Sequence, residues 1–135
     1  MPPIIYKGQE CNIVVMDSAT YMEDCYAGDI IVCGSHGGTL AAAYLLTFSP
    51  GGAIFNDAGR GKEDAGIMGL NLFQQSSLPA AAVDTFSARI GEGMETHDSG
   101  VVSAINDTAA QYGIRTGMNA KSAALIMSKK LNALR

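Results

Sequence analysis

The segment from Gly34 to Thr39 (GSHGGT) carries residue types that suit the binding of a small ligand. It follows an apolar, β-branched run and precedes helix-forming residues, so it predicts a turn between a buried strand and a helix. Gly37 and Gly38 have no side chains to keep a ligand from the backbone N–H groups, and Ser35 offers a hydroxyl. The pattern favours a phosphate or a carboxylate, although two glycines are also typical of a simple tight turn.

His36 lies inside this segment and is the candidate for moving a proton. A neutral imidazole can act as a general base and its cation can hold an anion, whereas a structural histidine bonds to the backbone. Asp57 follows the apolar residues 53–55, so its carboxylate should emerge where the next strand ends. There it would orient His36 or a substrate hydroxyl.

Three residues come into question as a nucleophile. Ser35 is adjacent to His36, and neighbours in an extended segment point to opposite faces, so the two should not form a hydrogen bond. Cys33 lies within an apolar run and is predicted to be a core thiol. Ser87, which follows a predicted strand, is the remaining candidate, without the G-x-S-x-G pattern of a nucleophile elbow.

Charged side chains near the predicted strand ends would hold an anionic substrate. Arg89 stands among small residues, which suits a substrate clamp, and Lys62 either holds the anion or starts a solvated helix. His97 ends a glycine-bearing segment, residues 87–97, predicted as a mobile loop; it could reach over the site or be solvated. The predicted catalytic residues are His36, Asp57 and Ser87, and the predicted substrate-binding residues are Ser35, Gly37, Gly38, Asn56, Lys62, Arg89 and His97.

Motifs for common cofactors do not match. No G-K-[ST] follows the glycines, and the G-x-G-x-x-G dinucleotide pattern is not met. With two histidines and no H-E-x-x-H, a transition metal is not predicted, and only a Mg²⁺ site on Asp57 or Asp84 stays open. We therefore predict no cofactor.

Four short apolar runs predict the strands that position these residues: residues 12–17, 29–34, 52–57 and 80–85. Their alternation with helical segments predicts an α/β fold, a three-layer sandwich with a mostly parallel sheet of about four to five strands and helices on both faces. Ligands of such sheets bind at the carboxyl ends of the strands, where the polar segments above fall.

Four helices are predicted around this sheet. They cover residues 39–48, a segment from about residue 62 to Leu78, residues 98–112, and residues 119–134 with Asn119 as N-cap. Gly66 and Gly69 in the second helix predict close packing on the sheet or on another subunit.

Composition limits the class of protein. With 47% hydrophobic and 16% charged residues, the 135 residues suit one domain spanning 1–135, and a net charge of −4 without a basic stripe disfavours nucleic acid. No secretory signal and no membrane-length apolar run appear, and three cysteines without C-x-x-C spacing indicate reduced thiols. These features favour a cytoplasmic protein, and the low charge favours a homo-oligomer.

The segments GSHGG, FNDAGRGKEDAG and SARIGEG, over about residues 29–110, resemble a group of small bacterial α/β proteins, a resemblance that implies no particular function. Ser-His-Gly after one strand and residues 57–61 after the next are also similar to caspase-type cysteine peptidases. Asp57 and Ala58 supply no cysteine there, and the helix between is too short. The chain is therefore not assigned to that family.

Together these patterns predict an enzyme that acts on a small anionic metabolite by acid–base chemistry, through hydrolysis or a lyase or isomerase step. Two alternatives stay open: a non-catalytic ligand-binding or regulatory module that uses the same pocket, and a structural subunit of a larger assembly.

Overall fold

One six-stranded sheet forms the centre of the computed structural model, which describes residues 2–134. The strands lie side by side in chain order. They are β1 (Ile4–Tyr6), β2 (Ile13–Met16), β3 (Ile30–His36), β4 (Gly52–Asn56), β5 (Ala80–Val83) and β6 (Val102–Ile105), and the helices are α1 (Thr39–Leu46), α2 (Gly69–Gln75), α3 (Gly93–Ser99), α4 (Asp107–Gln111) and α5 (Ala120–Leu134).

The sheet is mixed. Strands β2 to β5 run parallel, as the sequence predicts, while β1 and β6 pair antiparallel at the two edges. The α/β class is confirmed, but the prediction of a mostly parallel sheet of four to five strands is wrong. Edge strand β1 has only three residues, none of them fully buried. Its apolar run is shorter than the roughly four to eight residues by which a buried strand is recognised in a sequence.

The predicted helix over residues 98–112 is also wrong. Strand β6 occupies its centre, with α3 ending before it and α4 beginning after it. The apolar spacing of Val101, Val102 and Ile105 suits one helix face, but β-branched residues also favour strands. Asn106 then ends the strand and caps α4, because its side chain accepts hydrogen bonds from the N–H groups of Ala80 and Ala109.

The other predicted helices are present with changed limits. Helix α1 begins at Thr39, as predicted, and Asn119 caps α5 by accepting a hydrogen bond from the N–H of Ser122. The second helix begins later than predicted, at Gly69. A close contact explains this glycine, because a Cβ there would lie 2.6 Å from the Ala42 Cβ of α1.

Alternate residues of the central strands pack on opposite layers of helices. In β3, Ile31 and Cys33 belong to the core that includes residues of α1 and α2, whereas Ile30 and Val32 belong to the core that includes residues of α5. The sheet is thus covered on both faces, which leaves its edges to display polar groups. No helix in the described residues is long and apolar enough to cross a membrane.

Candidate functional site

An irregularity in β3 shapes the predicted ligand turn. Val32 pairs with Ile54 of β4, and the next pair is His36 with Asn56. Between these two pairs β3 advances by four residues and β4 by two. Such a bulge bends the strand and redirects its side chains. It places His36 at the carboxyl end of β3, where Gly37 and Gly38 separate it from α1.

His36 is exposed and held at one nitrogen. Its Nδ1 accepts a hydrogen bond from the Gly38 N–H at 3.1 Å, and Nε2 makes no hydrogen bond within the described residues. A ring nitrogen that accepts a hydrogen bond carries no proton, so in the neutral ring the proton is on Nε2. The free nitrogen of the neutral ring is therefore a hydrogen-bond donor, and the basic lone pair on Nδ1 is occupied by the Gly38 N–H.

Both glycine N–H groups of the turn already donate hydrogen bonds within the protein. The Gly37 N–H donates to the Asn56 carbonyl at 2.9 Å, and the Gly38 N–H donates to His36. Gly38 is also the N-cap of α1, and no side chain caps that helix. The amides of its first turn, which begins at the exposed Thr39, have no acceptor inside the helix. The open donors thus lie just beyond the two glycines.

Asp57 directly follows β4, the strand that pairs with β3, but its carboxylate points away from His36. Its Oδ1 accepts hydrogen bonds from the N–H groups of Gly59 and Thr85, at 2.7 and 3.0 Å, and its Oδ2 accepts one from the Ser103 hydroxyl at 2.7 Å. Thr85 follows β5 and Ser103 lies in β6, on the side of β4 opposite β3. This buried carboxylate therefore holds the loop after β4 and does not orient His36 in this structure.

The segment of residues 87–93 crosses the carboxyl ends of three strands. The Asn56 amide of β4 donates to its Ala88 carbonyl, and its Gly91 N–H donates to Gly34 of β3. Its last residue, Gly93, donates to Asp17 after β2 at 2.9 Å. The segment lies at the predicted edge of the sheet, but Gly93–Ser99 forms α3, so the prediction of a loop over all of residues 87–97 is wrong.

Ser87 and Arg89 occupy different environments in this segment. The Ser87 hydroxyl donates to the Asp84 carbonyl at 2.6 Å and accepts from the Val101 N–H, so it already joins two loops. The Arg89 guanidinium is 79% exposed and lies 3.7 Å from the Glu92 carboxylate. Lys62 is exposed as well. The two cations are therefore accessible, whereas the serine is engaged.

His97 lies away from His36. It is buried in α3, its ring stacks on that of Tyr6 with centroids 4.9 Å apart, and its Nδ1 lies 2.7 Å from an Asp98 oxygen. Tyr6 pairs with Ile13, the first residue of β2, so the stack is near the amino ends of the parallel strands. The structure does not bring His97 to the turn.

The side chains before His36 face the interior. The Ser35 hydroxyl accepts a hydrogen bond from the Ala19 N–H at 2.9 Å and is not bonded to His36. Cys33 is fully buried, and this burial raises the pKa of its thiol to about 12, against the smaller opposing effect of hydrogen bonds with Ser35. A thiol held in this protonated form is a poor nucleophile, so Cys33 is a core residue.

Sequence reasoning missed Ser103 and underrated Asp17. Ser103 falls in the segment predicted as helix, so nothing placed it near Asp57. Asp17 lines a cleft of about 280 Å³ together with Gly91, Glu92, Met94 and Glu95. No group of three or more His, Cys, Asp or Glu residues in the described part of the chain is arranged to hold a metal ion.

Comparison with family models, curated proteins and solved structures found no match to this chain. Its function is therefore inferred from the geometry of its own residues. Of the predicted site, the structure brings together His36, Gly37, Gly38 and Asn56 at one turn. It places Asp57, Ser87 and His97 in other networks.

Proposed function

We propose that this chain binds a small anionic metabolite, a carboxylate or a phosphate, at the turn between β3 and α1, and that His36 donates a proton to it. The observation that carries this proposal is the exposed imidazole, whose Nδ1 is fixed by the Gly38 N–H. The ring is accessible to a ligand, and the Gly38 N–H stabilises the neutral form that is left after His36 gives up a proton. The start of α1 adds the positive end of a helix dipole beside it.

The chemistry that fits this arrangement is general acid catalysis. His36 in its imidazolium form would give its Nδ1 proton to the leaving group of a hydrolysis or lyase step, or to a carbon centre in an isomerisation, and the neutral ring that remains can accept from the Gly38 N–H. The Gly38 amide thus stabilises the neutral form of the ring, whereas the carboxylate of many histidine sites stabilises the imidazolium. The exposed cations Lys62 and Arg89 would add positive charge around the anion.

A second candidate is a non-catalytic binding module that uses the same turn. The engagement of Asp57 and Ser87 favours it, because neither the carboxylate nor the hydroxyl is bonded to His36. The anion would then be held by the imidazole and the first turn of α1 without being changed.

A ligand screen separates the two candidates. Small carboxylates and phosphates are added to the wild type and the melting temperature is measured, followed by product analysis of each ligand that raises it. The enzyme predicts a ligand that is bound and consumed, and loss of turnover in His36→Ala. His97→Phe, which keeps an aromatic ring on Tyr6, is the matched control and should retain turnover.

Binding without consumption supports the second candidate instead. If no anion raises the melting temperature of the wild type, or if His36→Ala binds and converts the ligand as the wild type does, the proposed function is wrong.

A further inference from the structure

We infer that His36 couples the binding of an anion at this turn to the uptake of one proton. The inference rests on the proposed function, since it concerns the regulation of the same site. It starts from one hydrogen bond, which runs from the Gly38 N–H to His36 Nδ1 over 3.1 Å.

Protonation of His36 is incompatible with this bond. An imidazolium has two N–H donors and no acceptor, so a charged ring cannot accept from the Gly38 N–H. The ring is exposed and makes no other hydrogen bond within the described residues, so it can turn away when it is charged. The proton therefore frees the Gly38 amide at the same time as it charges the imidazole.

The two states of the turn differ in what they offer an anion. Both states present the amides of the first turn of α1, and the neutral state adds only the Nε2 proton of His36. The charged state adds an imidazolium and the released amide of Gly38, the N-cap residue of α1. Because the anion binds the charged state better, linkage requires that the anion also favours protonation.

The charged groups around the turn do not take part in this bond. Across the strand pair His36 faces the neutral Asn56. The uncharged Ala65 carbonyl lies beside Gly38. The charged side chains on the segments that follow the neighbouring strands are Arg60, Lys62, Glu63 and Asp64 after β4, Asp17 after β2, and Arg89 and Glu92 of residues 87–93. None of them forms an ion pair with His36 in the described residues, and Arg60 and Asp64 lie 3.9 Å apart.

The first experiment follows the Gly38 amide by NMR in the absence of any anion that binds. The Gly38 amide proton should shift with pH at the same midpoint as the His36 ring signals, and the shift should vanish in His36→Leu. His97→Phe removes the other histidine and should leave the Gly38 titration unchanged. A Gly38 signal that does not follow His36 would overturn the inference.

The second experiment measures the affinity for sulfate, whose charge is constant between about pH 5 and 8, where histidine titrates. Above the His36 midpoint the affinity of the wild type should fall about tenfold per pH unit, as one coupled proton requires. In His36→Leu the slope should be absent. Sulfate binding that is independent of pH overturns the coupling and leaves the proposed function standing. Absence of sulfate binding at every pH contradicts both.

Discussion

The turn after β3 and the loop after β4 are neighbours, joined by the pairing of His36 with Asn56, yet they hold their polar side chains in opposite ways. Within the described residues the exposed His36 side chain makes one hydrogen bond, whereas the buried Asp57 side chain accepts three. A polar group with all its partners inside the protein stabilises the fold, and one with a free donor can still bind something else.

The loop after β4 needs this anchoring because its backbone is strained. Four residues that are not glycine have positive φ within a short stretch: Ala58, Arg60, Glu63 and Asp64. Such conformations cost of order 1 kcal/mol each and persist only where the surroundings impose them. Asp57 and the Arg60 guanidinium, which donates to the Ser103 carbonyl at 2.9 Å, supply that restraint.

The largest expected effect is that of Asp57→Ala. The substitution removes three acceptors at once and leaves the donors of Gly59, Thr85 and Ser103 without them. Hydrogen bonds to charged groups contribute about 1.5–3 kcal/mol each, so for three of them we expect the free energy of unfolding to fall by about 5 kcal/mol, the lower end of their sum. Urea denaturation measures it.

Asp57→Asn is the matched control for this substitution. Its remaining oxygen can still accept from Gly59 and Thr85, and the Ser103 hydroxyl can turn to accept from the new amide, so the loss should be smaller by about half. Equal stability of Asp57→Ala and the wild type would show that the carboxylate does not hold the loop, and the contrast between the two regions would disappear.

A smaller effect on stability is expected for His36→Ala. It removes one hydrogen bond of an exposed side chain, so the free energy of unfolding should fall by less than about 1 kcal/mol in urea. The same variant should lose anion binding. A loss of stability as large as that of Asp57→Ala would mean that His36 belongs to the framework, and the two regions would no longer differ in role.

The difference between the two regions also explains what the sequence could predict. The turn around His36 is a local feature, because an apolar strand, a glycine pair and a helix follow one another. The sequence therefore predicts its place between β3 and α1, but β3 extends through His36 and leaves only Gly37 and Gly38 between the two elements. The partner of Asp57, Ser103, comes 46 residues later and lies in a strand whose pattern resembles a helix. The direction of the carboxylate depends on that distant strand, and no local pattern reveals it.

The same distinction applies to the fold. Strands β2 to β5 are buried on both faces and read as continuous apolar runs, which is why they were found. Edge strand β6 alternates buried and half-buried residues over four positions, a stretch too short to separate from a helix by spacing alone.

The smallest expected effect tests the strain in the loop after β4 directly. Glu63 has φ 56° and ψ 32°, a left-handed conformation that glycine adopts without a steric penalty, so Glu63→Gly should raise the free energy of unfolding by about 0.5–1 kcal/mol. Lys62 is also exposed and has no positive φ, so Lys62→Gly should lower the free energy of unfolding by about 0.5 kcal/mol through the added freedom of the unfolded chain. Urea denaturation of both variants gives the sign. If both substitutions destabilise the protein, the loop is not strained at Glu63. The hydrogen bonds of Asp57 then hold a loop with less backbone strain than its positive φ angles indicate.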